Sequence, residues 1–243
     1  MYRDVATSLV LLFTLPIMIY ASTKVIDEEI ENRTMLTLMS KPVSRAQVVI
    51  GKYCGVLLIC FVSVLFLGII ATSASWMRYF DYKLVEFRAA QGYAQYQKLM
   101  LNNYKAVLAM IPALILLFFQ IATLAAVSVA VSTRWGLAIN ITVVVILYIV
   151  ANLARYVGAL DFPQPFAAIA AFIAHILPGL SLLDLNQRLI YGQFTLGNSD
   201  FVLGQPTYAQ IWQYTGMAFI YAILYAGSAL SFGVALFRTR ELT

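Results

Sequence analysis

Four carboxylates, Asp27, Glu28, Glu29 and Glu31, crowd about one and a half helical turns of sequence. Five basic residues, Lys24, Arg33, Lys41, Arg45 and Lys52, lie among and around them. Carboxylates in such a group can grip a basic surface, trade protons or hold a metal. The last two uses need companions that the rest of the chain does not offer. His175 is the single histidine and sits in a short apolar run, where a hydrogen-bonded structural role suits it. Asp161, Asp184 and Asp200 are scattered and form no acid/base pair. No GxxxxGK[ST] phosphate loop, G-x-S-x-G elbow or HExxH helix is present. Cys54 and Cys60 are six apart, about 240° around a helix at about 100° per residue, so they neither pair nor share a metal. No catalytic or metal-ligating residue is assigned, and the charged stretch reads as a contact surface.

The elements that position this surface follow from composition. Of 243 residues, 62% are hydrophobic and 11% charged. A water-soluble domain carries about 25% charged residues, so the chain reads as an all-α integral membrane protein with a single domain. The net charge of +5 fits positively charged flanks that fix membrane spans. No RNA- or DNA-binding module is seen.

A crossing needs about 20 mostly apolar residues. Five stretches qualify, at residues 5–23, 48–76, 106–132, 137–156 and 211–237. Trp76, Tyr104, Trp135, Tyr156, Trp212 and Phe237 mark their ends as interfacial aromatics do. A sixth run, 166–177, is too short to cross and is bracketed by Pro163, Pro165 and Pro178-Gly179, which predicts a short re-entrant or interfacial helix before the last span. If it crossed, every later segment would change sides. Residues 77–103 predict an amphipathic helix on the membrane surface, and 181–191 one short helix stopped by Gly192.

Residues 24–47 form the charged link between the first two spans. Ile26 and Ile30 share a face, and Leu36 and Met39 continue an apolar surface, so the link can lie on the spans while showing its carboxylates. Pro42 ends the helix and restricts Lys41. Ser44 followed by Gln47 is a capping-box pattern that starts the next span near Ser44. Gly51 and Gly55 make a small-xxx-small face that allows close helix approach, and Lys52 can snorkel to headgroups. On composition alone, a solvated hairpin whose charges only fix topology is an equal reading. Inside the spans, Gln120 and Asn140 are candidates to line a path, because intramembrane polar groups face a bundle interior or a pathway. Interhelical hydrogen bonding is the structural alternative for both.

The run Glu29-Ile30-Glu31-Asn32-Arg33-Thr34, then Leu38-Met39-Ser40-Lys41-Pro42-Val43-Ser44-Arg45, then Gly51-Lys52, resembles the signature of type-2 ABC transporter permeases. Leu177-Pro178-Gly179 before the last span and Phe237-Arg238 at its end resemble the family more loosely. The resemblance implies that residues from about Glu28 to Ser40 are a coupling helix seated on a cytoplasmic ATP-binding subunit. Glu28, Glu29, Glu31, Arg33 and Thr34 would lie at that contact, and Pro42 and Arg45 would turn the chain back into the membrane. Gly51, Lys52 and Gly55 would mark the boundary and packing of the next span. It further implies a second permease subunit, ATP and magnesium held by the partner, a place in the cell (inner, cytoplasmic) membrane, and export as the activity. The family pattern has six spans with both termini inside, so it also implies one more helix ahead of Val5. Two other readings stay open: a membrane-embedded enzyme, for which only isolated polar residues are found, and a non-transporting assembly or anchoring protein. The transported substrate is not readable; a mostly apolar path leans toward amphipathic cargo.

Overall fold

A computed structural model describes residues 2–31, 45–89, 110–157, 177–184 and 208–238, together with positions 97 and 108. Among these residues the fold is all helical. Its helices are α1 (Tyr2–Glu31), α2 (Arg45–Ala89), α3 (Met110–Ser132), α4 (Leu137–Val157) and α5 (Tyr208–Arg238), with a 3-10 turn at Leu180–Leu182. Four stretches are long and apolar enough to cross a membrane: Asp4–Val25, Ala46–Met77, Met110–Ser132 and Ala209–Leu236. The apolar part of α4, Leu137–Leu153, is shorter.

The helix boundaries differ from the expected spans in two places. α1 continues without a break through Asp27 to Glu31, so the acidic cluster forms the last turns of the first helix. α2 runs 45 residues, about 67 Å at 1.5 Å per residue, and carries on past Trp76 to Ala89. The segment 77–89 therefore prolongs the second helix instead of starting a separate surface helix. Its residues are helix formers with no glycine or proline to interrupt the hydrogen-bond ladder.

α3 is the axis of the bundle. It is apolar all round, as a helix surrounded by others must be, and 72% of its hydrophobic stretch is buried, against 17% for that of α5. α1, α2 and α5 pack around it. The contacts give the helix directions. The first part of α3 meets the late part of α2 at Leu114 and Gly68. Ala113 and Leu116 share a cluster with Ile211 and Tyr214 at the start of α5. Gly233, near the end of α5, is pressed against Ala130, and a Cβ there would lie 2.9 Å from the Ala130 Cα. Small residues let these two backbones approach closely. α1, α3 and α5 thus run one way and α2 and α4 the other. One end of the bundle, the link end, holds the close of α1 and the start of α2. The other, the far end, holds the close of α4 and the start of α5.

The segment 177–184 enters the bundle from the far end. Pro178, Leu180 and Leu183 are buried. Tyr214 donates its hydroxyl to the Leu182 carbonyl. Deeper in, the Gly179 amide donates to the Tyr221 hydroxyl at 2.7 Å. Irregular backbone survives at membrane depth only where protein satisfies its polar groups, and these two tyrosines do so. A Cβ at Gly179 would stand 3.0 Å from Leu182 Cδ1 and 3.2 Å from the Tyr221 oxygen, so those side chains would have to shift by a few tenths of an ångström. Residues 181–182 form part of the 3-10 turn and do not open an α-helix at 181. The expected re-entrant helix at 166–176, and residues 185–191, lie outside the described residues.

Candidate functional site

The residues picked out in the sequence separate into three places. Glu28, Glu29 and Glu31 belong to the final turns of α1, and Arg45 opens α2. Arg33, Thr34 and Pro42 lie outside the described residues. The last turn of α1 holds no basic residue. Acidic residues at the C-terminal end of a helix oppose its dipole by a few tenths of a kcal/mol each at an exposed site.

Further along, α2 turns its inner stripe, Val49, Lys52, Tyr53, Val56 and Cys60, into the bundle. Lys52 is 8% exposed, so it is held by protein and does not snorkel to headgroups. The Tyr53 hydroxyl donates to the Ala122 carbonyl of α3 at 3.1 Å. Gly51 and Gly55 point the other way: both are exposed, and an added Cβ would meet nothing within 4 Å. Among the described residues no close approach is made at these two glycines, and Gly233 makes such an approach instead. Cys54 is exposed and Cys60 buried, and both are free.

The second place is a polar knot at the link end, where α1, α3 and α4 meet. Asn140 is fully buried. Its amide donates to Thr23 Oγ1 at 2.8 Å and to Ser128 Oγ at 2.9 Å, with Ser22 Oγ at 3.4 Å. Ser22 and Ser128 bond each other, and Ser128 also donates to Asn140 Oδ1. One turn on, Ser132 donates to the Ser22 carbonyl at 3.2 Å. Asn140 is thus a bolt between three helices. Ser22, Thr23, Ser128 and Ser132 escaped the sequence reading. Their one signal was position, as small hydroxyl residues gathered at the link ends of two apolar stretches.

The third place is a cavity of about 920 Å³ at the far end, between the same three helices. Residues 4–16 of α1, 113–120 of α3 and 145–152 of α4 form its walls, and Leu183 and Asp184 form its end. Gln120 lines it. Val5, Leu9, Leu12 and Ile149 line it too and are also exposed. The cavity therefore opens sideways, toward the surroundings of α1 and α4. Among the described residues no group of His, Cys, Asp or Glu could hold a metal.

A family model described as ABC-2 family transporter protein matches residues 4–242. The chain belongs to the ABC-2 transporter family. Comparisons with curated proteins and with solved structures return no match. As an ABC-2 family member it is a multi-pass membrane permease component of an ABC transporter. Membership implies partnership with an ATP-binding subunit.

Proposed function

We propose that this chain is the membrane-spanning subunit of an ATP-driven exporter in the cell membrane. It pairs with a second permease subunit, identical or related, and takes its energy from a cytoplasmic ATP-binding subunit. That partner binds ATP and magnesium and hydrolyses the nucleotide. Residues 24–47 face the cytoplasm and dock on it, with Glu28, Glu29, Glu31, Arg33 and Thr34 at the contact and Pro42 and Arg45 shaping the return.

The observation that supports this most is the continuity of α1. One continuous helix, with Pro16 inside it, carries the acidic cluster at one end and the cavity wall at the other. A push on the cluster moves the wall without passing through a loop. Carboxylates that oppose their own helix dipole are offset when a basic groove receives them. ATP closure of the partner then biases the spans between two packings, a bistable element shifted by a ligand at a distance.

The test is reconstitution with the ATP-binding subunit and replacement of both Glu29 and Glu31 by lysine. We expect the stimulated ATPase to fall to its basal level and binding of the subunit to weaken, while the purified chain unfolds as the native one does. Undiminished binding and stimulation would reject the docking role.

A further inference from the structure

The cavity between α1, α3 and α4 is graded along its length. Its α1 wall, residues 4–16, covers about 18 Å at 1.5 Å per residue, a little over half of a hydrocarbon core about 30 Å thick. That wall starts where the Asp4–Val25 stretch starts, so the cavity runs from the far-end boundary to about mid-membrane. Its first turns bring Asp4, Thr7 and Ser8, and from residue 9 inward every α1 lining residue is apolar. On α4 the order matches: Asn152 stands nearest the far end and Val145 deepest. Asp4 and Asp184 hold contacts of their own, so the mouth offers polar surface and not open charge. Gln120 is the deepest polar residue of the lining. A polar mouth over an aliphatic shaft one leaflet long has the depth profile of a lipid, head group outside and chain within.

The opening faces the source of such a molecule. Val5, Leu9, Leu12, Val145 and Ile149 line the cavity and are also 37% to 62% exposed. Their surroundings in a membrane are lipid chains. Water is a poor filling between aliphatic walls, and an unfilled gap forfeits the dispersion contacts of every group that lines it. Lipid tails are as apolar as leucine, so the gain is not transfer out of water. It is the packing of a chain inside a gap of about 920 Å³.

We propose that the cavity is a lipid-binding site. It takes one acyl chain of a phospholipid from the far-end leaflet, with the chain end against Leu15 and Leu117 and the head group at Thr7, Ser8 and Asn152. As a statement about cargo this rests on the permease reading. As a statement about binding it does not, because the test omits the ATP-binding subunit.

The experiment uses the whole chain in phosphatidylcholine nanodiscs doped with either of two photoreactive phosphatidylcholines. One carries a diazirine next to the head group, the other at the chain terminus, and labelled residues are mapped by mass spectrometry. Thr7, Ala113, Leu117 and Gln120 line the cavity and are at most 6% exposed, so a bilayer lipid reaches them only through it. We expect the head-proximal probe to label Thr7 and Ala113 and the terminal probe to label Leu117 and Gln120. Leu9→Trp and Val145→Trp fill the cavity from exposed positions on facing helices. Each is expected to remove the Ala113 and Leu117 label while Leu58 and Leu224, which face outward, keep theirs. Ser8→Leu with Asn152→Leu is expected to lower the head-proximal label at Ala113 about fivefold, the fold-change of one lost hydrogen bond. Label confined to outward residues would overturn the proposal, whether another segment or a second subunit closes the cavity. So would the reverse depth order, which means entry from the other leaflet, label that survives both tryptophans, or a native level of label with the apolar mouth. Absent cavity label beside intact ATPase stimulation would remove the lipid site and leave the permease. Intact label beside absent stimulation would do the opposite.

Discussion

At one end of α1, α3 and α4, five polar side chains close the gap between the helices. At the other end the same three helices stand apart around about 920 Å³. The difference lies in how each end satisfies its polar groups. Asn140 completes its bonds inside the protein, across three helices. Gln120 does not complete its bonds within the described bundle. A membrane offers little hydrophobic drive to bring helices together, so hydrogen bonds and close packing decide where they meet. The link end has both: the Asn140 knot and the Gly233–Ala130 contact. α1, α3 and α4 are therefore bonded to one another where the charged link leaves them and stand apart around the cavity.

The sharpest way to break this contrast is to add volume at the joined end. Gly233→Leu drives side-chain atoms into the Ala130 backbone, and we expect a loss of at least about 2–3 kcal/mol or failure to fold, read by steric trapping in bicelles. Removing the bolt costs less. Asn140→Ala cuts its bonds to Thr23 and Ser128, but Ser22 and Thr23 keep their bonds to the Ile19 carbonyl. At about 0.6 kcal/mol per intramembrane bond, a loss of about 1–2 kcal/mol follows in the same assay. Gln120→Leu breaks no bond, and we expect stability within about 0.5 kcal/mol of the native chain or slightly above it. A large loss at Gln120 would mean that its amide is structural and that the two ends do not differ as described. The smallest effect belongs to Gly55→Ala, whose added methyl meets nothing. Folding stability should not change measurably, and a weakened association between copies in single-molecule photobleaching would place a second subunit on that face.

Local patterns in the chain carried the large features. Apolar runs of about 20 residues mark four helices long and apolar enough to cross. α2 begins at Arg45, directly after the Ser44 capping position. Pairings between distant residues were not readable. The partners of Asn140 lie 12 to 118 positions away, and periodicity reports the face of a helix, not what covers it. For this reason Asn140 and Gln120 looked alike, although one is a bolt and the other lines a cavity. The same limit applies to glycine. Gly51 and Gly55 have the spacing of a packing face and point outward, whereas Gly233, four residues after Ala229, is the one of the described glycines whose added Cβ would meet another helix's backbone. Lys52 looked like a headgroup anchor because the register that turns it inward is set by Tyr53 and Val56 packing on α3.

The central claim is that the link end holds while the far end moves under ATP. Pulsed electron-electron distances in the reconstituted complex test it directly, with spin labels in a Cys54→Ser, Cys60→Ala background. One pair, Leu9 with Ile149, spans the cavity mouth, and the other, Tyr20 with Ile139, spans the joined end; all four residues are exposed. With a non-hydrolysable nucleotide on the partner subunit, the Leu9–Ile149 distance should shift by several ångström while the Tyr20–Ile139 distance stays fixed. A shift at the joined end with a still cavity mouth, or no shift at either, would contradict it.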